Sequence, residues 1–160
     1  RLVGSEMCIR DRIRCYHPTD ASVVSQLWLE GNLQAHFFVS PTHWHTYLPL
    51  LPEALAQAEV YVYDEGGVKG FIGVCDTYIA GLFVAADSRS KGIGKLLLDY
   101  LKDSHSVLDL SVYVRNSSAL RFYQREGFAK LRSQIEEETG EEEWVMRWES
   151  QQVVCQVDKW

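Results

Sequence analysis

The sequence predicts a single-domain α/β protein in which a mixed sheet carries helices on both faces. Its 160 residues suit one domain, and its apolar content of 46% suits a soluble globular core. Short apolar runs typical of strands alternate with segments whose apolar residues recur at helical spacing. Two helical segments come first, a strand hairpin follows, and strand–helix–strand–helix–strand leads to a last strand.

The first third of the chain predicts one strand and two helices. Residues 13–16 form a short apolar strand. The first helix is expected to begin at a cap residue, Thr19 or Asp20, and to end at Gly31. The second helix is expected to open at Ser40-Pro41, a cap residue followed by proline at the first helical position. Pro49 and Pro52 predict a break or kink within it.

The remaining two thirds predict six strands and two helices. The turn 64–67 separates the first two strands, and Thr139-Gly140 closes the final hairpin. Gly127 ends the second of these helices. The predicted strands are 60–63, 68–74, 78–84, 107–114, 128–135 and 143–148, and the helices are 93–101 and 118–126.

The charge of the chain is concentrated in one place. The formal net charge is −6, and six glutamates fall within residues 136–143; without them 16 acidic residues balance 16 basic ones. No basic stripe is present, which argues against a general nucleic-acid binder. No run of about 18 apolar residues occurs, as a membrane-spanning helix needs.

Cysteine and histidine spacing predicts neither a disulfide framework nor a metal site. The four cysteines, at positions 8, 15, 75 and 155, include no CxxC pair, so we interpret them as reduced cytoplasmic thiols, with Cys75 buried in the core. His43 and His45 form an HxH pair with no third ligand nearby in sequence. They are interpreted as residues of a polar helix start.

A glycine-rich basic loop precedes the predicted helix 93–101. Gly92 and Gly94 allow backbone N–H groups to approach an anion closely, and a helix start directs unpaired N–H groups at the same point. Arg89, Lys91 and Lys95 add positive charge. The loop therefore suits a pyrophosphate, although by itself it equally fits an ordinary glycine turn. It lacks both the GK[ST] of a Walker loop and the GxGxxG of a Rossmann fingerprint.

A second element follows 22 residues after Gly94 and runs from Asn116 to Phe128. Ser117 or Ser118 can cap a short helix there. Ala119, Phe122 and Tyr123 then share one helix face. A tyrosine at such a position taken alone is more often a core aromatic than a catalytic group.

Together the two elements resemble the GNAT superfamily of acetyl-CoA-dependent N-acetyltransferases. The family's R/Q-x-x-G-x-G/A loop matches Arg89, Gly92 and Gly94, and its N…A…Y…GF segment matches Asn116, Ala119, Tyr123, Gly127 and Phe128. Ser90 stands where the family often has glycine. The resemblance covers roughly residues 12–148 and is strongest for the small bacterial branch that includes protein-lysine acetyltransferases.

The resemblance implies a mostly antiparallel sheet, splayed at its centre, with acetyl-CoA as co-substrate. The strands before and after the glycine loop would separate, and the pantetheine arm would lie between them. A backbone N–H near Phe83 or Val84 would polarise the thioester carbonyl. Tyr123 would be the catalytic acid that protonates the departing thiolate. The implied cofactor-binding residues are Leu82, Phe83, Val84, Arg89, Ser90, Lys91, Gly92, Ile93, Gly94, Lys95, Asn116, Ala119 and Tyr123.

The acceptor and the general base are less well defined. A lysine amine has a pKa of about 10.4, so a base or a water relay must remove its proton. Asp76, Tyr78, Tyr113 and His36 are the candidates. The acidic hairpin 136–143 falls in a region that flanks the acceptor mouth in this family, where it either attracts a cationic amine or is a solvated turn.

Three functions remain open at this point. The resemblance favours an enzyme that acetylates a primary amine, whether a protein lysine, an N-terminal amine or a small amine, as a cytoplasmic monomer or homodimer without nucleic acid or membrane. The alternatives are a non-catalytic coenzyme A-binding module and an interaction domain with no cofactor. Residues 12–148 are predicted to be the acetyltransferase domain, 1–11 a non-native extension that resembles translated adapter sequence, and 149–160 a tail.

Overall fold

The computed structural model describes residues 12–151, which form seven strands, five α-helices and three short 3₁₀ turns. The 3₁₀ turns are Pro18–Asp20, Leu48–Leu50 and Ala86–Ser88. The strands are β1 (Ile13–Cys15), β2 (Glu59–Asp64), β3 (Val68–Cys75), β4 (Tyr78–Val84), β5 (Val107–Tyr113), β6 (Ala129–Ile135) and β7 (Glu142–Glu149). The helices are α1 (Ala21–Ala35), α2 (Pro41–Tyr47), α3 (Leu51–Gln57), α4 (Ile93–Lys102) and α5 (Ser117–Arg125).

All seven strands form one sheet in the order β1-β2-β3-β4-β5-β7-β6. Every neighbouring pair is antiparallel except β4 and β5, which are parallel because α4 connects them. The mostly antiparallel, mixed α/β sheet predicted from the sequence is therefore confirmed.

Helices cover both faces of the sheet. On one face α4 buries Leu97, Leu98 and Leu101 against Ile72 and Leu108, and α5 packs beside it. On the other face α1 and α3 pack against β2 and β3 through a second cluster of apolar side chains, which contains Val24, Leu27, Leu55, Val60, Val62 and Phe71. The alternation of apolar residues along β2 and β3 supplies both layers.

The strand bounds agree with the sequence prediction to within one residue, and so do those of α4 and α5. The predicted break in the second helix is also confirmed. Ser40 accepts a hydrogen bond from the Thr42 N–H (3.3 Å), Pro41 occupies the first turn, and the 3₁₀ turn at Leu48–Leu50 separates α2 from α3. A proline inside a helix removes a backbone donor, which accounts for this interruption at Pro49.

Two expectations for the first helix were wrong. The helix does not end at Gly31 but continues to Ala35. A Cβ at Gly31 would lie 2.4 Å from the Phe83 ring, so this glycine allows close packing instead of ending the helix. Asp20 precedes the helix without capping it, because its carboxylate accepts hydrogen bonds from Arg14 and from the His17 N–H.

Cys75 was also predicted wrongly, since its thiol is exposed and free. It ends β3 at the tight connection to β4, where Asp76 adopts a φ of 57°. Within residues 12–151 no helix is long and apolar enough to cross a membrane. The predicted extension 1–11 and most of the predicted tail lie outside the described residues.

Candidate active site

The centre of the sheet opens because β4 and β5 pair at one point only. The single registered pair is Tyr78 with Asp109, supported by a hydrogen bond of 2.8 Å from the Asp109 N–H to the Thr77 carbonyl. Toward Val84 and Tyr113 the two strands no longer pair. A V-shaped gap results, and its open end lies at the carboxyl ends of both strands. The splay implied by the resemblance is therefore present.

A β-bulge contributes to this divergence. The register between β3 and β4 shifts between Gly73 and Val74, leaving Ala80 as an extra residue in β4. An extra residue bends its strand and increases the local twist. The bulge therefore directs the second half of β4 away from β5.

The pairing with β3 determines which backbone groups of β4 face the gap. The Ala85 N–H donates to the Lys69 carbonyl (2.7 Å), and hydrogen-bonded pairs alternate along an antiparallel ladder. Phe83 therefore directs its N–H toward β3, whereas Leu82 and Val84 direct theirs into the gap. The sequence argument named Phe83 or Val84 for the thioester carbonyl, and the ladder favours Val84 together with Leu82.

The start of α4 offers a group of backbone donors at the upper end of β4. Its first i→i−4 hydrogen bond runs from the Leu96 N–H to the Gly92 carbonyl (3.0 Å), so the N–H groups of Ile93, Gly94 and Lys95 precede the intrahelical ladder. The helix dipole adds partial positive charge at this point. The arrangement fits an anionic group such as a pyrophosphate.

Two left-handed residues shape the loop before α4. Gly92 has a φ of 80°, and a Cβ there would meet no atom within 4 Å, so the space in front of the helix is open. Ser90 has a φ of 67°, a conformation that costs a non-glycine residue about 1–2 kcal/mol. Glycine adopts this conformation without strain, which explains why the family often has glycine at this position.

The three cations of the loop have different surroundings. The Arg89 side chain turns back to the protein, donating to the Val84 carbonyl (3.2 Å) and to the Gln34 side chain (2.7 Å). The Lys95 ammonium lies 3.2 Å from Glu126 and 3.3 Å from Asp99, and these carboxylates raise its pKa. Lys91 is exposed, and within the described residues 12–151 its ammonium forms no hydrogen bond or ion pair. Lys91 is therefore the loop side chain best placed to approach an anion.

On the β5 side of the gap, Asn116 and Tyr123 are positioned by α5. The Asn116 carboxamide caps the helix by accepting from the Ala119 N–H (3.3 Å), so the expectation that Ser117 or Ser118 would be the cap was wrong; the helix begins at Ser117, which places Asn116 at the capping position. Tyr123 follows two turns later on the same helix face and packs between Phe122 and Phe128. No group of residues 12–151 lies within hydrogen-bond distance of its hydroxyl. Burial raises the pKa of Tyr123, which keeps the phenol protonated at neutral pH.

The four candidate bases separate into two pairs. Asp76 and Tyr78 precede or begin β4, at the closed end of the gap, about 20 Å from Val84 along the strand. His36 and Tyr113 lie at the open end, with ring centroids 4.9 Å apart. Burial raises the pKa of Tyr113 and lowers that of His36 to about 4. A protonated phenol is a poor proton acceptor, and an imidazole with a pKa of about 4 holds a proton only weakly at neutral pH, so neither group is an effective base.

The acidic hairpin borders the open end of the gap. The Tyr47 hydroxyl, at the end of α2, donates a hydrogen bond to Glu138, and Tyr113 pairs with Glu143 in the sheet. Although partial burial opposes it, hydrogen bonds from the Glu138 and Thr139 backbone N–H groups hold the pKa of Glu136 below its ordinary value. Glu136 therefore remains anionic at neutral pH. Of the two interpretations left open by the sequence, this location favours a role at the acceptor entrance.

Sequence reasoning missed several contacts made by the site residues. Three features depend on residues distant in sequence: the bulge at Ala80, the contact between Tyr47 and Glu138, and the hydrogen bonds of His36. His36 was considered only as a base, and nothing local to it indicated a link to Asn116. Among residues 12–151 no group of three or more His, Cys, Asp or Glu side chains could hold a metal ion.

Comparisons with known proteins agree with this geometry. The model of the acetyltransferase (GNAT) domain family matches residues 56–130. The chain is 34% identical over 139 residues to the peptidyl-lysine N-acetyltransferase YiaC of Escherichia coli K12, covering 85% of this chain and 95% of that protein.

Solved structures share the fold at lower identity. The apo-form solution structure of YjaB from Escherichia coli has a TM-score of 0.76 at 19% identity, covering 86% of this chain and 97% of that one. The structure of yncA from Salmonella typhimurium, solved with acetyl-CoA, has a TM-score of 0.64 at 18% identity and covers 86% and 92%. The identity to YiaC over most of both chains agrees with the splayed strands and the N–H-lined helix start. The chain therefore belongs to the GNAT family of acetyltransferases.

Proposed function

We propose that this protein transfers the acetyl group of acetyl-CoA to the side-chain amine of lysine residues in other proteins. As a GNAT member the chain is an acetyl-CoA-dependent N-acetyltransferase with an amine acceptor. The printed name of its relative, a peptidyl-lysine N-acetyltransferase, supports lysine as that acceptor. The observation that carries the proposal is the anionic hairpin 136–143 at the open end of the β4–β5 gap, where a lysine side chain would enter.

The chain's own groups fit acetyl-CoA along the whole gap. The N–H groups of Ile93, Gly94 and Lys95, with the Lys91 ammonium, would hold the pyrophosphate. A Cβ at Gly94 would meet Phe122 at 3.6 Å and Val84 at 3.9 Å, so a larger side chain would occupy the space between α4 and α5. Glycine at this position leaves that space for the pantetheine arm.

Acetyl-CoA supplies the acetyl group as a thioester that is ready for direct attack by an amine. The gap-facing N–H groups of Leu82 and Val84 would bind the carbonyl oxygen and stabilise the charge that develops on it. The Tyr123 hydroxyl, protonated and without a hydrogen-bond partner among residues 12–151, would donate its proton to the departing sulfur. Asn116 would line the gap at its open end.

The surface beside the gap has room for a polypeptide. A concave region of about 540 Å³ lies on the uncovered face of β5, β7 and β6, where Ser111, Val145, Glu136 and Glu143 line it. Its volume is within the range of ligand sites. Its lining carries charges of both signs, Arg132 and Arg147 as well as Glu136 and Glu143, and the two glutamates would pair with a cationic partner. We place this activity in the bacterial cytoplasm, where the exposed thiols of Cys15 and Cys75 would remain reduced. The proposed form is a monomer or homodimer that requires neither nucleic acid nor a membrane.

The test uses two matched peptides and acetyl-CoA. One peptide has a blocked N-terminus and a single lysine; the other has arginine at that position and a free N-terminus. Coenzyme A release and the mass of each peptide are measured. Acetylation of the first peptide is expected. Acetylation of only the second peptide, or of free lysine alone, would contradict the proposed acceptor.

The alternative, a non-catalytic module that binds coenzyme A, makes a different prediction. Calorimetry would then detect acetyl-CoA binding while no amine of any class released coenzyme A. Burial raises the pKa of Tyr123, and its hydroxyl meets no hydrogen-bond partner among residues 12–151, so a proton available for donation supports catalysis over this alternative.

A further inference from the structure

The carboxyl-terminal half of α1 lies across the open end of the β4–β5 gap. On the β4 side Gly31 packs so closely against Phe83 that a Cβ would lie 2.4 Å from the ring. On the β5 side His36, just beyond the end of α1, contacts the Tyr113 ring at a centroid distance of 4.9 Å. The two strands form no hydrogen bonds to each other at this end, so α1 and His36 connect them.

A chain of hydrogen bonds fixes the orientation of His36. The Asn32 side-chain NH₂ donates to the Trp28 carbonyl (2.9 Å), which leaves its Oδ1 to accept from His36 Nδ1 (2.9 Å). Since Nδ1 carries the proton, Nε2 is an acceptor, and it receives the Asn116 NH₂ at 3.2 Å. The Asn116 Oδ1 is then left to accept from the Ala119 N–H.

The surroundings of His36 keep this arrangement rigid and uncharged. Asn32 is 4% exposed, and the imidazole packs against Phe38 and Trp44 as well as Tyr113. Burial lowers the pKa of His36 to about 4, so Nε2 is free to accept at neutral pH. Each bond in the series determines the direction of the next, which ties the start of α5 to α1.

We propose that His36 is a positioning residue for acetyl transfer, which fixes Asn116 and the start of α5 across the gap and so sets the location of the Tyr123 hydroxyl. The inference rests on the roles proposed above for Asn116 and Tyr123. It excludes His36 as the general base, because both ring nitrogens are engaged within the protein.

Three substitutions separate the two hydrogen bonds of His36. His36→Gln places an amide oxygen near the position of Nε2 and retains the acceptor for Asn116. His36→Asn retains a donor for Asn32 but is too short to reach Asn116. His36→Phe keeps the ring packing and removes both bonds. The variants are first compared with the wild type by circular dichroism and thermal unfolding.

The expected kinetic result is a loss of turnover that follows the Asn116 contact. His36→Asn and His36→Phe should lower kcat by about 10–100-fold, because a small displacement of a reacting group has effects of this size. His36→Gln should stay within about threefold of the wild type, and the KM of the amine should change by less than about threefold in all three. Equal kcat values for His36→Phe and the wild type would overturn the proposal.

A double-mutant cycle shows whether His36 acts through Asn116. If it does, His36→Phe should have little further effect on kcat in an Asn116→Ala background. Effects that multiply independently would show that His36 does not act through Asn116, and would also overturn the proposal.

A second readout requires no acceptor at all. In amide NMR spectra of the acetyl-CoA-bound protein, His36→Phe should shift the Ala119 and Tyr123 resonances and His36→Gln should restore them. Unmoved resonances in His36→Phe would reject the positioning role. If the wild-type protein left the lysine peptide unmodified, only the proposed acceptor would be rejected. Failure of the proposed function and failure of the positioning role are therefore distinguishable.

Discussion

The Tyr47 hydroxyl donates a hydrogen bond to the Glu138 carboxylate, joining the end of α2 to the tip of the acidic hairpin across 91 residues of sequence. The contact holds the hairpin beside Tyr113 and the open end of the gap. A mobile hairpin would spread its charge over a wide region, whereas an anchored one concentrates negative potential at the proposed acceptor entrance. The location of these glutamates therefore has a direct kinetic consequence.

Neutralising the exposed glutamates of the hairpin should weaken the use of cationic acceptors, mainly at low salt. We expect Glu137→Gln with Glu142→Gln to raise the KM of a lysine peptide by about two- to fivefold near 20 mM salt, with the difference disappearing near 0.5 M because salt screens exposed charges. Steady-state kinetics at several ionic strengths measure this effect. Glu53→Gln with Glu149→Gln, equally exposed but outside the hairpin, is the control and should not alter the salt dependence. The same salt dependence in both double variants would rule out steering by the hairpin.

Removing the Tyr123 hydroxyl should affect turnover far more than binding. The ring packs among Phe122 and Phe128 while the hydroxyl has no hydrogen-bond partner in the described part of the chain, so Tyr123→Phe leaves the packing intact. We expect kcat to fall by about 100-fold, as for loss of a general acid, while the Kd of acetyl-CoA changes by less than about threefold. Tyr100→Phe, on the exposed side of α4, is the matched control. Unchanged turnover in Tyr123→Phe would remove Tyr123 as the acid.

Gly92 and Gly66 allow backbone strain to be separated from obstruction of the site. Gly66, in the β2–β3 turn, has a φ of 68° and Gly92 a φ of 80°, and a Cβ at either position would meet nothing within 4 Å. Alanine at each should therefore lower the free energy of unfolding by a similar amount, about 1–2 kcal/mol. Only Gly92→Ala should also weaken acetyl-CoA binding, because its methyl group enters the space in front of α4. Urea unfolding and calorimetry measure the two effects, and equal binding by both variants would contradict the proposed pyrophosphate site.

Much of this architecture could be predicted because its signals are local. Alternation and helical spacing identified every strand to within one residue, and the loop around Gly92 is a short motif whose geometry follows from a few neighbouring residues. The cap of α5 was placed one or two residues too late, at Ser117 or Ser118 instead of Asn116. The other errors arose where distant packing decides the outcome. Gly31 resembles a helix stop in the sequence, but its close contact with the Phe83 ring is what requires glycine there. Cys75 ends β3, where its thiol is exposed. The His36–Asn116 bond joins residues 80 apart, which no local pattern reports.

The buried imidazole of His36 should make the fold sensitive to mild acid. Its pKa is about 4 in the folded protein and about 6.5 when unfolded, so between these values the unfolded chain binds the additional proton. The contribution of His36 to the free energy of unfolding is therefore fully present above pH 6.5 and is lost as the pH falls toward 4. The full shift corresponds to about 3 kcal/mol.

Protonation of paired carboxylates such as Asp20 and Asp109 also lowers the free energy of unfolding on acidification, so the contribution of His36 must be obtained by difference. Urea unfolding of the wild type and of His36→Gln, which cannot titrate, gives that difference at each pH. Between pH 7.5 and 4.5 the wild type should lose about 2–3 kcal/mol more than the variant. Parallel losses in the two proteins would mean that His36 has the same pKa in the folded and the unfolded chain, so that burial in the folded protein does not disfavour its protonated form.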